Sequence, residues 1–294
     1  MKSNNFTLLL FFYLFLAGAC ANSPRSNELY HADALPGISV PAEHLVFIGL
    51  DGWGGAFVQK ADMPTVKRFI ESGAFSTDMR CELPSNSITN WPVLFFGTAP
   101  NQLKYNDITT IALDFPSIFS VVNGKNIFFY EWNTLENMCT GETAEKIKIA
   151  SNSESARKIA AYITEKKPVF TVIVFNEPDK TGHSKHWGSP EYYAKLTEID
   201  SWIAIIEQAV KDAGIYDSTV FVLSSDHGGN FWGHGVNFAK QRKIPLVVYG
   251  RGIKTGYTIP SPLSICDIAP TMAAIMDMEI PPEWTGRPLK EIFE

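Results

Sequence analysis

The sequence predicts an α/β fold with a mainly parallel central sheet and helices on both faces. Continuous apolar runs alternate with amphipathic stretches along the chain. The runs lack the polar alternation of half-exposed strands, which is typical of strands buried on both faces. Polar residues and glycines directly follow several runs. This alternation of strand and helix patterns is that of a parallel sheet covered by helices.

The strands are predicted from the apolar runs, which are rich in β-branched and aromatic residues. In chain order these runs cover residues 45–50, 126–130, 169–175, 219–223 and 244–249. A more polar segment at 75–82 is also predicted to be a strand.

The helices are predicted from apolar residues at helical spacing and from end signals. Pro64 suits a first turn and Gly73 ends the first helix. Ser189 is the expected N-cap of the longest helix, which Gly214 ends. The predicted helices cover residues 63–72, about 85–96, 153–166, 190–213 and 268–276, and a closing turn follows at 284–288.

Length and composition indicate one globular domain over residues 41–294. The chain has 294 residues, of which 45% are hydrophobic and 19% charged, as in an ordinary core-forming protein. Its formal net charge of −6 argues against a surface that coats nucleic acid, which is normally basic.

The N-terminus has the pattern of an export signal over residues 1–19. A lysine at position 2 precedes an apolar run at 6–16, and small residues lead to Cys20. This order resembles a bacterial lipobox, in which Cys20 is lipidated and anchors the protein to a membrane in the cell envelope or at the cell surface. Ordinary secretory cleavage after Ala19 is the alternative. Residues 20–40 are polar and suit a tether.

The other cysteines leave their pairing open. Cys81, Cys139 and Cys266 cannot all pair within one chain, although one disulfide is possible in an oxidising compartment. A zinc–thiolate site is not expected, because the sequence contains no CxxC pair.

Residues of the types that bind metals follow three separate apolar runs. Because sites form at the carboxyl ends of parallel strands, these side chains are expected to converge. Three of the six histidines fall in these segments, and glycines between them allow tight turns. Together they indicate a metal site rather than isolated polar loop residues. The candidate ligands are Asp51, Asp179, His183, Asp226, His227 and His234.

Ser87 is the candidate nucleophile. It is predicted at a helix N-terminus, where free backbone N–H groups and the helix dipole favour an anion. Ser87 or Ser85 could instead serve only as an N-cap, and Thr89 is a competing hydroxyl.

These motifs, in this order, resemble the alkaline phosphatase superfamily, and most of all its type I phosphodiesterase/nucleotide pyrophosphatase family. The resemblance covers residues 45–289 and implies an alkaline-phosphatase-like fold. The sulfatase signature is absent, namely a Cys or Ser with Pro two residues on and Arg two after that. The chain departs from longer relatives in having six residues between His227 and His234. It also has Leu103 and Lys104 where His-Gly is frequent.

The resemblance implies two divalent ions, preferably zinc, although these ligands also suit manganese or magnesium. One ion would be held by Asp179, His183 and His234. The other would be held by the remaining three ligands, with Ser87 as the reacting ligand. Two-metal hydrolysis through a phosphoserine would follow, and Asn90 and the helix N-terminus are expected to hold a non-bridging oxygen.

The implied substrate is a small phosphate ester, most of all a diester or pyrophosphate. Tyr105, Trp132 and Trp187 are the expected substrate contacts, because they lie in polar, turn-like sequence. Phe115 and Phe128 are expected in the core.

Three other functions stay open. One is a phosphomonoesterase, which would use an added cation from Arg80, Lys104 or Arg242. Another is a head-group phosphotransferase. The third is an envelope-anchored binding protein on an inactive enzyme fold.

Overall fold

The computed structural model describes residues 41–103, 115–138 and 144–294. The predicted signal segment 1–19, the tether at 20–40, Tyr105 and Cys139 lie outside the described residues. Within the described part, every helix falls short of the length and apolarity that a membrane span requires.

The described strands form one eight-stranded sheet. They are β1 (His44–Leu50), β2 (Ala74–Arg80), β3 (Asn126–Tyr130), β4 (Ala144–Lys148), β5 (Phe170–Phe175), β6 (Thr219–Ser224), β7 (Lys243–Gly250) and β8 (Tyr257–Thr258). Their spatial order is β4-β3-β5-β1-β6-β7-β2-β8. Only the pairs that involve β7, with β6 and with β2, are antiparallel among these strands. The predicted fold class, with a mainly parallel central sheet, is confirmed.

The register of the central strands determines where the site forms. Leu50 of β1 lies beside Phe175 of β5, and Gly49 lies beside Ser224 of β6. The three strands therefore end at the same edge of the sheet. Residues that follow them directly in the sequence must meet there.

The helices begin at the capping signals that the sequence contains. Side chains of Asn86, Asn152 and Ser189 accept hydrogen bonds from backbone N–H groups of the first turns. The helices are α1 (Pro64–Glu71), α2 (Ser87–Phe96), α3 (Ile118–Val121), α4 (Asn133–Glu136), α5 (Ser153–Lys166), α6 (Asp179–Lys185), α7 (Pro190–Asp212), α8 (Ala239–Arg242) and α9 (Ile268–Ile275). The cap of α2 is Asn86, so Ser85 and Ser87 are not its cap.

Each face of the sheet carries its own hydrophobic cluster, because alternate residues of a strand point to opposite faces. Phe47 of β1 packs with Trp91 and Phe95 of α2 on one face. Ile48 packs with Trp202 of α7 on the other face. Helices therefore cover both faces of the sheet, as predicted.

The core also contains side chains whose roles the sequence left open. Phe128 is fully buried in the cluster that contains Trp91, and Phe115 is partly buried against it. Cys81 and Cys266 are buried free thiols.

Several short elements were not predicted. The edge strand β4 has the sequence AEKIK, and all of its residues are exposed or half-exposed. Charged residues on an edge strand hide the apolar pattern that identifies a central one. The turn-length helices α3, α4 and α8 are too short for a periodic signal.

Candidate active site

The candidate ligands meet at the carboxyl edge of β1, β5 and β6. Asp51 follows β1 directly, and Asp226 and His227 follow β6. Asp179 opens helix α6, and its backbone N–H donates to Asp51 O at 2.9 Å. The structure thus brings the three separate sequence segments together.

Asp51, Asp226 and His227 form what we call the buried cluster. Each is at most 4% exposed. His227 Nε2 lies 3.5 Å from Asp51 Oδ1 and 3.4 Å from Asp226 Oδ2. Gly52 N–H donates to Asp226 Oδ1 at 3.2 Å, and Asp226 Oδ2 faces His227.

Asp179, His183 and His234 form what we call the open cluster. Asp179 Oδ1 lies 3.6 Å from the Nε2 atom of each histidine, and the two Nε2 atoms are 3.0 Å apart. The His183 side chain is 47% exposed. Asp179 and His183 stand four residues apart on α6, which places them on one helix face. The spacing of four positions already indicates in the sequence that both can reach one ion, whereas helix α6 itself was not predicted.

The two clusters adjoin. Ligand atoms of Asp51, Asp179 and His227 also lie within 4.8 Å of one another, so Asp179 belongs to both groups. The rings of His227 and His234 stack with centroids 3.9 Å apart. Two cations held by these clusters would therefore share Asp179 as a neighbour.

All three histidines offer the same ring nitrogen to the site. Nδ1 of His183 lies 3.1 Å from Trp232 O, Nδ1 of His227 lies 2.9 Å from Gly228 O, and Nδ1 of His234 lies 2.9 Å from Ser85 O. A carbonyl can only accept, so each Nδ1 carries the proton. Each Nε2 then has a free lone pair, which is the arrangement of a metal-binding imidazole.

Two carboxylates of the site each have an oxygen without a hydrogen-bond donor. Among the described residues, Asp179 Oδ1 and Asp226 Oδ2 are buried oxygens without a hydrogen-bond donor. Burial, aided by a neighbouring carboxylate, raises the pKa of Asp51, Asp179 and Asp226 to about 7. Burial and the nearby His227 lower the pKa of His234 to about 4.

This donor set fits divalent cations. Buried carboxylates without donors and neutral imidazoles cost free energy unless a positive charge neutralises and coordinates them. Oxygen and imidazole ligands without thiolate suit zinc and do not discriminate strongly against manganese.

Ser87 lies at the mouth of the buried cluster, as the first residue of α2. Its Oγ is 3.2 Å from His227 Nε2 and 3.4 Å from Asp51 Oδ1. Trp91, one turn further along α2, donates from its indole N–H to Asp51 Oδ2 at 3.3 Å. Helix α2 therefore positions both the hydroxyl and the carboxylate beside it. Thr89, the competing hydroxyl, is buried.

The structure contradicts the role expected of Asn90. Its side chain is fully buried. The amide nitrogen donates to the carbonyls of Glu82, Pro84 and Asn86, and Oδ1 accepts from Glu82 N–H at 2.7 Å. With its hydrogen bonds used in this way, Asn90 holds the loop before Ser87 in place and is not directed at a substrate oxygen.

The structure also corrects the expectation for Trp187. Its side chain is 5% exposed, and its ring lies against His183 and His234. Its indole N–H donates to Gly52 O at 3.0 Å. A Cβ on Gly182 or Gly229 would fall within 2.4 Å of the ring. The Trp187 ring therefore supports the two histidines of the open cluster. Gly182 and Gly229 allow the ring to lie against their backbone, because they have no Cβ.

A cavity of about 200 Å³ opens beside Ser87. Trp132 lines it, so its expected position near a substrate is compatible with the structure, together with Asn176 and Lys180. Lys180 pairs with Glu131, whose carboxylate also accepts from Asn176 N–H at 3.2 Å. Lys180 is not among the site residues predicted from the sequence, although it directly follows Asp179.

Arg242, one of the cations considered from sequence, does not line this cavity. Its guanidinium donates to Cys81 O at 2.8 Å and to Asn237 Oδ1 at 3.2 Å.

One family model matches part of the chain. The model of the family described as type I phosphodiesterase/nucleotide pyrophosphatase matches residues 116–239. That stretch holds all the candidate ligands except Asp51 and Ser87. The match is to the same family that the sequence motifs resemble.

The curated relatives that match parts of the chain have names of different activities. Arylsulfatase K of Danio rerio is 31% identical over 100 residues, which make up 32% of this chain and 18% of that protein. GPI ethanolamine phosphate transferase 1 of Saccharomyces cerevisiae is 34% identical over 87 residues, which make up 29% of this chain and 10% of that protein. The chain thus matches less than a fifth of the length of either relative.

Solved structures of the superfamily show the same fold. Human ectonucleotide pyrophosphatase/phosphodiesterase 5 superposes with a TM-score of 0.70 at 12% identity, covering 85% of this chain and 100% of that chain. A 2-O GAG sulfatase superposes with a TM-score of 0.73 at 12% identity, covering 84% of this chain and 73% of that chain.

Proposed function

We propose that this protein is a metal-dependent hydrolase of phosphate esters, and that it cleaves diester or pyrophosphate bonds through a phosphoserine at Ser87. The observation that carries the proposal is the position of Ser87 Oγ. It lies at the first residue of α2, 3.2 Å from His227 Nε2 and 3.4 Å from Asp51 Oδ1. The match to the type I phosphodiesterase/nucleotide pyrophosphatase model supports the diester over the sulfate ester.

The cluster residues would hold two divalent cations, preferably zinc. Asp179, His183 and His234 would hold one, and the buried cluster would hold the other beside Ser87. Bound cations would supply Lewis-acid stabilisation of the anionic oxygens of the nucleophile, substrate and leaving group.

Ser87 carries the covalent step. Its Oγ forms a bond to phosphorus as the bond between phosphorus and the leaving oxygen breaks; the hydroxyl proton passes to solvent, and the leaving oxygen takes a proton from solvent. A water molecule then attacks phosphorus as the bond between phosphorus and Oγ breaks, a proton of that water restores the Ser87 hydroxyl, and the phosphate product leaves. The first N–H groups of α2 lack partners within the helix and favour an anion at this place. These N–H groups would hold the non-bridging oxygen without Asn90, with which they were expected to share this role.

The cavity beside Ser87 suits the remainder of the substrate. Trp132 offers a flat apolar surface and Lys180 a cation at its edge. A base or other aromatic group could stack on Trp132, while Lys180 would pair with an anionic group of the substrate.

Turnover of bis-p-nitrophenyl phosphate and of p-nitrophenyl phosphate by the zinc-loaded protein tests this function. We expect the diester to be the better substrate, with Ser87→Ala as the blank for contaminating activity. Faster turnover of the monoester would replace the proposal with a phosphomonoesterase, in which Lys180 carries the extra charge. A Lys180→Gln variant would then lose more activity on the monoester than on the diester.

Transfer to an alcohol is the second candidate, because a curated relative is a phosphate transferase. The same phosphoserine would pass its phosphoryl group to a hydroxyl instead of water. Turnover of the diester with added ethanolamine or glycerol separates the two, since only a transferase forms the new ester in preference to the hydrolysis product.

A further inference from the structure

The exposed apolar side chains of the described residues are concentrated in two segments beside the site. Six large hydrophobic side chains are between 41% and 70% exposed. We call them the apolar rim: Leu83, Ile88, Phe231, Trp232, Val236 and Phe238. Scattered surface hydrophobics are ordinary, whereas a contiguous group marks an interaction surface.

The two segments are joined to each other. The Ser85 hydroxyl donates to Val236 O at 3.0 Å and accepts from Gly235 N–H at 3.0 Å. The backbone carbonyl of Ser85 also accepts a hydrogen bond from His234 Nδ1–H. Ile88 directly follows Ser87. The apolar rim is therefore continuous with the mouth of the active site.

The Phe231–Trp232 part of the rim is held rigidly. Asn230 and Gly233 exchange backbone hydrogen bonds of 3.0 and 3.1 Å across a two-residue turn, and Phe231 has a φ of 51°. The backbone N–H of Trp187 donates to Phe231 O at 3.0 Å, and His183 Nδ1 donates to Trp232 O. The backbone is thus fixed by metal-site residues while both aromatic side chains point outward.

Positive charge accompanies the rim. Residues 83–88, 183–188 and 228–243 contain no Asp or Glu, although the whole chain has a net charge of −6. They contribute exposed Lys185 and Lys240, as well as Arg242 and Lys243. The acids next to these segments are Asp78, which pairs with Lys243 at 2.8 Å, Glu82, and the metal-site Asp179 and Asp226, which face the histidines of the two clusters. An anionic partner would complement this surface.

We propose that the apolar rim docks on the surface of an anionic lipid bilayer. Aromatic and aliphatic side chains beside lysines are the combination that inserts at the boundary between headgroups and acyl chains. The rim residues do not line the cavity beside Ser87, so a small substrate has its own place. Docking requires no turnover and stands apart from the proposed reaction. It would present the active site to phosphate esters at the membrane surface.

Quenching of tryptophan fluorescence by brominated acyl chains tests the docking in the full-length protein. Vesicles of brominated phosphatidylglycerol should quench the wild-type protein, and Trp232→Phe should lose the part of the quenching that Trp232 contributes. This readout reports on contact between Trp232 itself and the acyl chains. Equal quenching of wild type and Trp232→Phe would overturn the proposal.

The contribution of charge is tested with matched lysine pairs. Lys185→Gln/Lys240→Gln should raise about tenfold the lipid concentration for half-maximal Trp232-dependent quenching. Lys158→Gln/Lys166→Gln, on the exposed face of α5, is the control and should keep the wild-type value. An equal rise in this lipid concentration for both double variants would show that the lysines beside the apolar rim have no specific part in the docking. A dimer in light scattering that Trp232→Ser converts to a monomer would instead assign the rim to contact between copies.

Discussion

The buried cluster and the open cluster contain the same types of ligand but are built differently. Asp51, Asp226 and His227 follow central strands directly and are at most 4% exposed. In the open cluster, His183 comes from helix α6 and His234 from the loop after β6, and the His183 side chain is 47% exposed. Trp187 lies beneath these two histidines.

This difference separates two ways of making a metal site. The sheet positions the buried cluster, because hydrogen-bonded neighbouring strands fix where their ends lie. The open cluster depends on a loop, a short helix and one supporting indole, and its exposed ligands leave room for a substrate or water. We expect the buried cluster to be the more rigid of the two and the open cluster to exchange its cation more readily.

The largest expected effect is that of Ser87→Ala on turnover. Loss of the nucleophile should lower kcat for the diester by roughly 10³-fold or more, while elemental analysis still finds the wild-type metal content. Thr89→Val is the matched control, because Thr89 is the competing hydroxyl on α2, and it should keep activity within severalfold. Retention of most activity by Ser87→Ala would exclude Ser87 as the nucleophile.

The position of Asp179 in both ligand groups predicts unequal losses of metal. Asp226→Asn should lose the cation of the buried cluster and keep the other. Asp179→Asn should weaken both sites, because its carboxylate lies within 4.8 Å of the ligands of each. Both variants should lose about 10²-fold or more in activity. If Asp179→Asn keeps one full equivalent of metal, the clusters are independent.

The stability of the metal-free protein should fall as the pH rises. The pKa values of Asp51, Asp179 and Asp226 are raised from 3.8 to about 7. The folded state therefore binds more protons than the unfolded state between these values, and the stability from these groups is lost as the pH rises through about 7. The lowered pKa of His234 reduces the stability as the pH falls below 6.5. This effect is opposite to that of the carboxyls, but it comes from one group, whereas three carboxyls have raised pKa values.

Thermal denaturation of chelator-treated protein measures this dependence. The midpoint should be several degrees lower at about pH 8 than at about pH 5, and added zinc should abolish the fall. Asp226→Asn should reduce the dependence, since it removes one of the three carboxyls. A midpoint that rises with pH in the metal-free protein would contradict the account.

The smallest expected effect is that of Trp187→Phe, which tests the support of the open cluster. Loss of ring area beneath His183 and His234 should weaken metal binding there by about tenfold and leave the buried cluster unchanged. Tyr192→Phe is the matched control, because its hydroxyl donates to the same Gly52 carbonyl at 3.1 Å. Competition with a chromogenic chelator measures both affinities. Equal weakening by the two variants would show that the hydrogen bond to Gly52 matters rather than the ring.

The parallel sheet and the segments that bear the ligands were predictable from the sequence alone. Apolar runs at β1, β5 and β6 identify buried strands, and polar residues directly after them must meet because parallel strands end at a common edge. The position of Ser87 at the start of a helix was also predictable, because capping signals are local in the sequence. Short polar elements such as β4 were not, because their pattern is weak.

The tertiary structure alone decided where individual side chains point and which residues they contact. Asn90 and Trp187 have the residue types of substrate contacts, yet both are buried and hold loops or ligands in place. Lys180 joins the cavity because α6 turns it toward Glu131, and Asp179 falls between two clusters that the sequence assigned separately. Such facts depend on packing between residues distant in sequence, which no local pattern records.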